Sequence, residues 1–237
     1  MPSWGKRLTG TVFFNKMLKR SEPEYQGNLI SKEPWLVEFP NFLSQDEAKL
    51  LIEIAHRTGF EPEDSLPTHV RDVSKIDCER SSCLLDPFVG EVYRRVSDLL
   101  DIPMRNYESL EFLRYGPGQH YKMHFDPEPF PFPETIRSGL RVLTVFFYLS
   151  DVKGGGGTAF PNAKPSAVEV KPASGKVVIW ANTASNWWKV AKTAAHVGVP
   201  VEEGVKYAAN FWVHPFPYRI NEQYSGPHCR GDDESDE

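Results

Sequence analysis

Several broad classes are excluded by what this chain has little of. It contains three cysteines in 237 residues, Cys78, Cys83 and Cys229, too few for a disulfide scaffold and without the paired spacing of a zinc site. A bridge between Cys78 and Cys83 is open in an oxidising compartment, with two buried or idle thiols as the equal alternative. No apolar run approaches the roughly 18 residues of a membrane-crossing helix, so no span is expected in this chain. Basic residues are outnumbered, 27 Lys and Arg against 32 Asp and Glu. The net charge is −5 and the pI near 5.8, and no basic run supplies the phosphate contacts of a general nucleic-acid binder. The basic residues Lys6, Arg7, Lys16, Lys19 and Arg20 surround an apolar patch at 12–14 that is too short for a signal peptide. Gly-x-Ser-x-Gly, Cys-x-x-Cys and His-Glu-x-x-His are all missing, which removes the usual hydrolase, dithiol and zinc-protease chemistries.

What is present is enough apolar material for one catalytic domain, 40% hydrophobic and 13% aromatic. Residues 1–30 read as a polar, irregular arm, residues 31–218 as the domain, and 219–237 as an acidic tail whose composition opposes ordering. Ser44 and Glu47 form a capping box, followed by the stripe Leu50, Leu51, Ile54 and Ala55, which predicts a helix ending near Gly59. A second helix starts at Asp86-Pro87, turns Val89, Val92, Val96 and Leu100 inward, and stops before Pro103. From residue 108 the pattern changes to short apolar runs between turn residues, predicting strands at 108–115, 120–126, 141–149, 166–171, 176–181, 193–200 and 205–214. The fold class expected is α+β, mainly β, with helices buttressing a double-stranded β-helix, or jelly roll.

The chemistry is carried by His124-Phe125-Asp126, then His196, then Lys206. Side chains two apart on a strand share a face, so His124 and Asp126 can grip one ion while Phe125 points away. If His196 returns beside them, the result is a two-histidine, one-carboxylate site. Such a site leaves open positions for a small chelating acid and dioxygen, as non-haem Fe(II) oxygenases require. The turn Glu202-Glu203-Gly204 sends the chain back so that Lys206, Ala208, Asn210 and Trp212 share a face. An inward lysine is costly unless an anion meets it.

Competing readings attach to the other histidines and to one glycine run. His120 with His124 would suit a helical zinc pair, but Gly116, Pro117 and Gly118 oppose a helix, so His120 is expected to be exposed. His214 is the rival third ligand, although its place before Pro215 suggests a rim or partner-facing role. His56 reads as a helix-surface residue, and His69 and His228 as loop or tail residues. The run 154–157 lacks a P-loop lysine and reads as a hairpin turn rather than a phosphate cradle.

Four ordered blocks, 113–126, 141–152, 154–162 and 196–214, together resemble the catalytic domain of the prolyl 4-hydroxylases over about residues 35–216. The resemblance implies Fe(II) on His124, Asp126 and His196, and the distal carboxylate of 2-oxoglutarate on Lys206 with Tyr115 and Thr158 assisting. It implies O2 as oxidant, ascorbate as the reductant that rescues oxidised iron, and Arg141, Glu108, Tyr121 and Trp212 as residues that engage the peptide or shape the site. Gly157 stands where the family usually has Glu, and Glu111 where Gln is common. The implied reaction couples oxidative decarboxylation of 2-oxoglutarate to hydroxylation of a C–H bond in a proline-rich peptide. Alternatives are the same chemistry on another residue or small molecule, and a peptide-binding pseudoenzyme, against which the intact triad and Lys206 argue. By resemblance the compartment is the endoplasmic reticulum, with the cytoplasm as alternative, and the oligomeric state stays open.

Overall fold

The computed structural model describes residues 10–127, 137–184 and 188–218. Three helices, α1 (Thr11–Ser21), α2 (Gln45–Thr58) and α3 (Pro87–Leu100), accompany fifteen short strands among these residues. The first half of the chain holds β1 (Asn28–Lys32), β2 (Trp35–Phe39), β3 (Glu61–Pro62), β4 (Arg71–Asp72), β5 (Ser74–Asp77), β6 (Glu111–Tyr115) and β7 (His120–His124). The second holds β8 (Leu143–Tyr148), β9 (Gly154–Gly155), β10 (Thr158–Phe160), β11 (Val168–Val170), β12 (Val177–Ala181), β13 (His196–Gly198), β14 (Val201–Glu203) and β15 (Lys206–Val213).

Local signals set the helix boundaries. Ser44 accepts from the Glu47 amide at 3.2 Å while Glu47 accepts from the Ser44 amide at 2.8 Å, so two otherwise unpaired donors of α2 are satisfied. The chain leaves α2 through Gly59 at φ 97°, a conformation that a side chain disfavours. Asp86 caps α3 through the Phe88 amide at 2.9 Å, with Pro87 in the first turn. Neither helix is long and apolar enough to cross a membrane, and the same holds for every described helix.

The strands form an eight-stranded sheet in the order β1-β2-β12-β8-β15-β6-β5-β3, facing a five-stranded sheet in the order β11-β10-β13-β7-β4. This is the jelly roll expected. A separate two-stranded ribbon pairs β9 with β14, Gly155 opposite Val201, so the glycine run is a long-range strand pairing and not the hairpin turn expected. The large sheet is covered on both faces. Val145, Phe147, Phe211 and Val213 pack with the helices, whereas Phe146, Tyr148, Trp180 and Ala208 point between the sheets. All six residues of β8 are therefore buried, and its alternation serves two cores rather than one core and solvent.

Two expectations need correction. The irregular arm is, from Thr11 onward, a helix whose Phe13, Phe14 and Met17 are buried, with Phe14 stacked on Trp35 at 5.2 Å. Phe13, Phe14, Met17 and Leu18 share the spacing of the α2 stripe and give α1 an apolar face, which packs on Trp35 and in the core that α3 also faces. Strands β1 and β2 lie inside that same stretch or just past it, and β2 hydrogen-bonds to β12 in the large sheet. The acidic tail, His228 and Cys229 lie outside the described residues.

Phe14 is completely buried, so Phe14→Ala should cost about 3–5 kcal/mol. Equilibrium denaturation should show a lowered midpoint with an unchanged slope.

Candidate active site

Antiparallel pairing of β13 with β7 sets His196 opposite His124. The strand ends at His124 rather than continuing to 126, so Asp126 reaches the histidines from the bend just beyond it. His124 Nε2 and His196 Nε2 lie 3.6 and 3.5 Å from Asp126 Oδ1, and one ligand atom from each residue falls within 4.8 Å of the others. The Nδ1 atoms of His124 and His196 lie 2.8 and 3.0 Å from the carbonyls of Lys122 and Ala194. A carbonyl only accepts, so each Nδ1 carries the hydrogen and each Nε2 presents a lone pair to the shared point.

Electrostatics favour the ligand forms. Burial pushes His196 down to about 4, against the opposing pull of Asp126, leaving the imidazole neutral near pH 7. Burial alone would raise Asp126, but the two histidines and Thr144 outweigh it and hold the carboxyl well below the usual range. Thr144 Oγ1 donates to Asp126 Oδ2, and Asn182 Nδ2 donates to Thr144 Oγ1 at 2.7 Å. This support was not read from the sequence. Its signal was Thr144 itself, the only hydroxyl-bearing aliphatic position in the otherwise apolar and aromatic β8.

These groups line a cavity of about 550 Å³ between the sheets. Lys206 enters it from β15, 2% exposed, with Nζ 5.1 to 5.3 Å from the ring centres of Tyr115, Phe146 and Tyr148. It has no hydrogen bond or ion pair among the described residues, and burial pushes its pKa down to about 7. Thr158 is buried nearby, and the Tyr148 hydroxyl donates to its Oγ1 at 2.7 Å. Gly157 adjoins the Glu169 carboxylate; a Cβ there would stand 2.4 Å from Glu169 Oε1, so a larger side chain would have to displace it.

On the other side of the triad, Arg141 grips Glu108 with two bonds of 2.5 and 2.8 Å, reaches the Asp126 carbonyl at 3.2 Å, and lies 3.7 Å above the Trp212 ring. His214 is not at the rim. It is buried, with Nε2 2.7 Å from Glu108 Oε1 and Nδ1 2.9 Å from the Gly139 carbonyl. It faces Glu108 instead of the metal point, and both ring nitrogens address acceptors. Burial would raise Glu108, but Arg141 and His214 together bring it down to about 2.

A second ion network was also missed. Arg71 pairs with Glu63 at 2.7 Å and Glu111 at 3.1 Å, and its guanidinium lies 4.9 Å from the ring centre of Tyr121, which stacks on His124 at 3.5 Å. Glu111, a departure from the family pattern, thus supplies a full charge opposite a buried arginine. The segment 61–83 that carries this network has β3, β4, β5 and a disulfide between Cys78 and Cys83, so it is a pocket wall with its own pairing. Most of the companion segment 127–140 lies outside the described residues. His120 is partly buried, while His56 and His69 are exposed as expected.

A model of the 2OG-Fe(II) oxygenase superfamily matches residues 110–214. The chain is 30% identical over 243 residues to "Probable prolyl 4-hydroxylase 10" of Arabidopsis thaliana, covering 89% of this chain and 81% of that protein. It is 32% identical over 192 residues to the rat prolyl 4-hydroxylase subunit alpha-1, where it spans 35% of the relative's length. Among solved structures, the 2OG complex of a viral collagen prolyl hydroxylase from Paramecium Bursaria Chlorella virus-1 superposes with a TM-score of 0.61, at 23% identity, over 78% of this chain and 98% of that one.

Replacing His124, Asp126 or His196 by alanine should each weaken Mn(II) binding by more than about a hundredfold, the upper range for loss of a supporting residue. Thr144→Val should weaken it about ten- to a hundredfold, and His214→Ala by less than either. Titration calorimetry with Mn(II) measures all of these, and normal binding in His196→Ala would remove it from the ligand set.

Proposed function

Since the chain belongs to the prolyl 4-hydroxylases of the 2-oxoglutarate- and Fe(II)-dependent oxygenase superfamily, we propose that its pocket holds Fe(II) on His124, Asp126 and His196 and anchors the distal carboxylate of 2-oxoglutarate on Lys206. The donor set fits the ion: two neutral imidazole nitrogens and one ionised carboxylate converge, with no fourth protein ligand among the described residues. Bound together, Fe(II) and 2-oxoglutarate supply, with O2, the oxidising power that hydroxylates an unactivated C–H bond while the acid becomes succinate and CO2. Ascorbate keeps the iron reduced in this family.

The observation that carries the cosubstrate assignment is Lys206. An ammonium buried without a partner is destabilising by several kcal/mol, and a carboxylate of a bound acid supplies the missing counter-charge. The aromatic walls of Tyr115, Phe146 and Tyr148 exclude water around the stem, which strengthens that attraction. Thr158 and Tyr115 line the cavity at the same end. At the metal end, Arg141 fixes the Asp126 backbone and is itself held by Glu108, so the ligand loop is oriented by a chain of charges.

The substrate reading is a peptidyl proline. Tyr121 and Trp212 both line the cavity and are partly exposed, so each offers an aromatic edge to a pyrrolidine ring. An extended polyproline-type segment loses little entropy on docking there. The disulfide supports an oxidising compartment, such as the endoplasmic reticulum, over the cytoplasm.

Two measurements test this reading. Lys206→Ala should leave Mn(II) binding nearly unchanged but weaken 2-oxoglutarate by about 2–5 kcal/mol. In the unaltered enzyme the affinity should be highest below pH 7, where Lys206 is already protonated. Above pH 7 binding must take up a proton, so affinity should fall about tenfold between pH 7 and 8.5. A pH-independent affinity in that interval would remove Lys206 from the anchor.

With a panel of proline-rich peptides, mass spectrometry should show a gain of one oxygen atom on proline in step with succinate formation. Hydroxylation confined to other residues would leave the oxygenase intact and overturn the prolyl assignment.

A further inference from the structure

The polar side chains that line the cavity mostly have partners within the protein. Glu108 is taken by Arg141 and His214, Arg71 by Glu63 and Glu111, Thr144 by Asp126, and Thr158 by Tyr148. Apart from the metal-directed atoms and the indole N–H groups of Trp180 and Trp212, which are buried without a partner among the described residues, two cavity-lining side chains on β15 are exceptions. One is Lys206. The other is Asn210, 4% exposed, whose carboxamide makes no hydrogen bond among the described residues. Its amide atoms keep some exposure toward the cavity, so a donor and an acceptor stand ready there for a bound molecule.

The two residues belong to one face of one strand, with only the methyl group of Ala208 between them. Their Cα atoms are four residues apart, roughly 13 Å at strand rise. The lysine closes much of that distance. Its Nζ is 5.1 Å from the ring centre of Phe146, and Phe146 is the register partner of Asn210. On the opposite side, Asn210 is paired in register with Glu111, whose charge is occupied by Arg71. The next inward residue, Trp212, is in register with Thr144, which holds the metal ligand Asp126. Asn210 thus lies between the lysine end of the trough and the metal end, over a floor kept low by Ala208.

Building on the assignment of the distal carboxylate to Lys206, we propose that Asn210 is a binding residue for the opposite, keto-acid end of 2-oxoglutarate. Its Nδ2 donates to an oxygen of that end and fixes how the diacid lies along β15. An amide suits the position because it donates without adding charge. An aspartate of the same size would place an anion against an anion. Ala208 contributes by being small, since a longer side chain there would fill the trough between the two grips.

The test uses the full chain loaded with Mn(II) under anaerobic conditions, titrated calorimetrically with 2-oxoglutarate, for the unaltered protein, Asn210→Ala and Asn210→Asp. Mn(II) affinity and thermal unfolding are measured on the same samples. Expected are near-equal Mn(II) affinities and melting curves, a 2-oxoglutarate Kd raised on the order of ten- to a hundredfold in Asn210→Ala, and a larger rise in Asn210→Asp. Peptide KM at saturating 2-oxoglutarate should change by less than about twofold if the amide faces only the diacid. An Asn210→Ala protein that binds 2-oxoglutarate as the unaltered one does would overturn the proposal. So would a loss of Mn(II) binding or folding in step with the diacid in both variants, which would make the residue structural, or a raised peptide KM with normal diacid affinity. Failure of the unaltered protein to bind 2-oxoglutarate would instead overturn the Lys206 assignment on which the proposal rests.

Discussion

The register between β7 and β13 is the constraint on which the site depends. Residues 124 and 196 come from strands separated by seventy-two positions, and only their direct opposition places two imidazoles over one carboxylate. A slip of one residue would turn each histidine to the other face of the five-stranded sheet. The slip is opposed from both sides. Aromatic packing of His196 on Trp180 at 4.9 Å and of His124 on Tyr121 at 3.5 Å ties each ring to its neighbours. The backbone bonds from both Nδ1 atoms then settle which nitrogen looks inward.

Around that register the pocket is organised by charge compensation. On one flank Arg141, Glu108 and His214 form a closed group, and on the other Arg71 joins Glu63 and Glu111. Each is a buried network in which removing one member would strand the others, so both flanks resist rearrangement. Between them, Lys206 and Asn210 are left unmatched on a single strand. A binding site is legible here as a local failure of self-sufficiency between two flanks of paired charges.

Much of this could be read before the structure. The capping box at Ser44 and the inward alternation from Lys206 to Trp212 are short-range patterns found where they were expected, while Asp126 joins His124 from the bend past the strand end instead of from the strand itself. What escaped were contacts between elements far apart in sequence. Helix α1 repeats the α2 spacing in Phe13, Phe14, Met17 and Leu18, but no side-chain cap opens it, and its docking on Trp35 is a contact across more than twenty residues. His214 looked peripheral because Pro215 follows it, yet burial is decided by the Asn106 and Gly139 segments that fold over it. Arg71 sat in a stretch without periodicity, and nothing local says that its partner is Glu111, forty positions away.

The double duty of β8 has an implication for how freely this protein can drift in sequence. Thr144 and Phe146 belong to the cavity, whereas Val145 and Phe147, one peptide bond away, belong to the helical layer. An enlarged or shrunken side chain on the helical side shifts the shared backbone by fractions of an ångström, and close-packed interiors pass such shifts on instead of absorbing them. Residues that never meet a reactant are thereby held to tolerances set by chemistry on the reverse side of the same ribbon, and mutational robustness is lowest where the strand looks most ordinary.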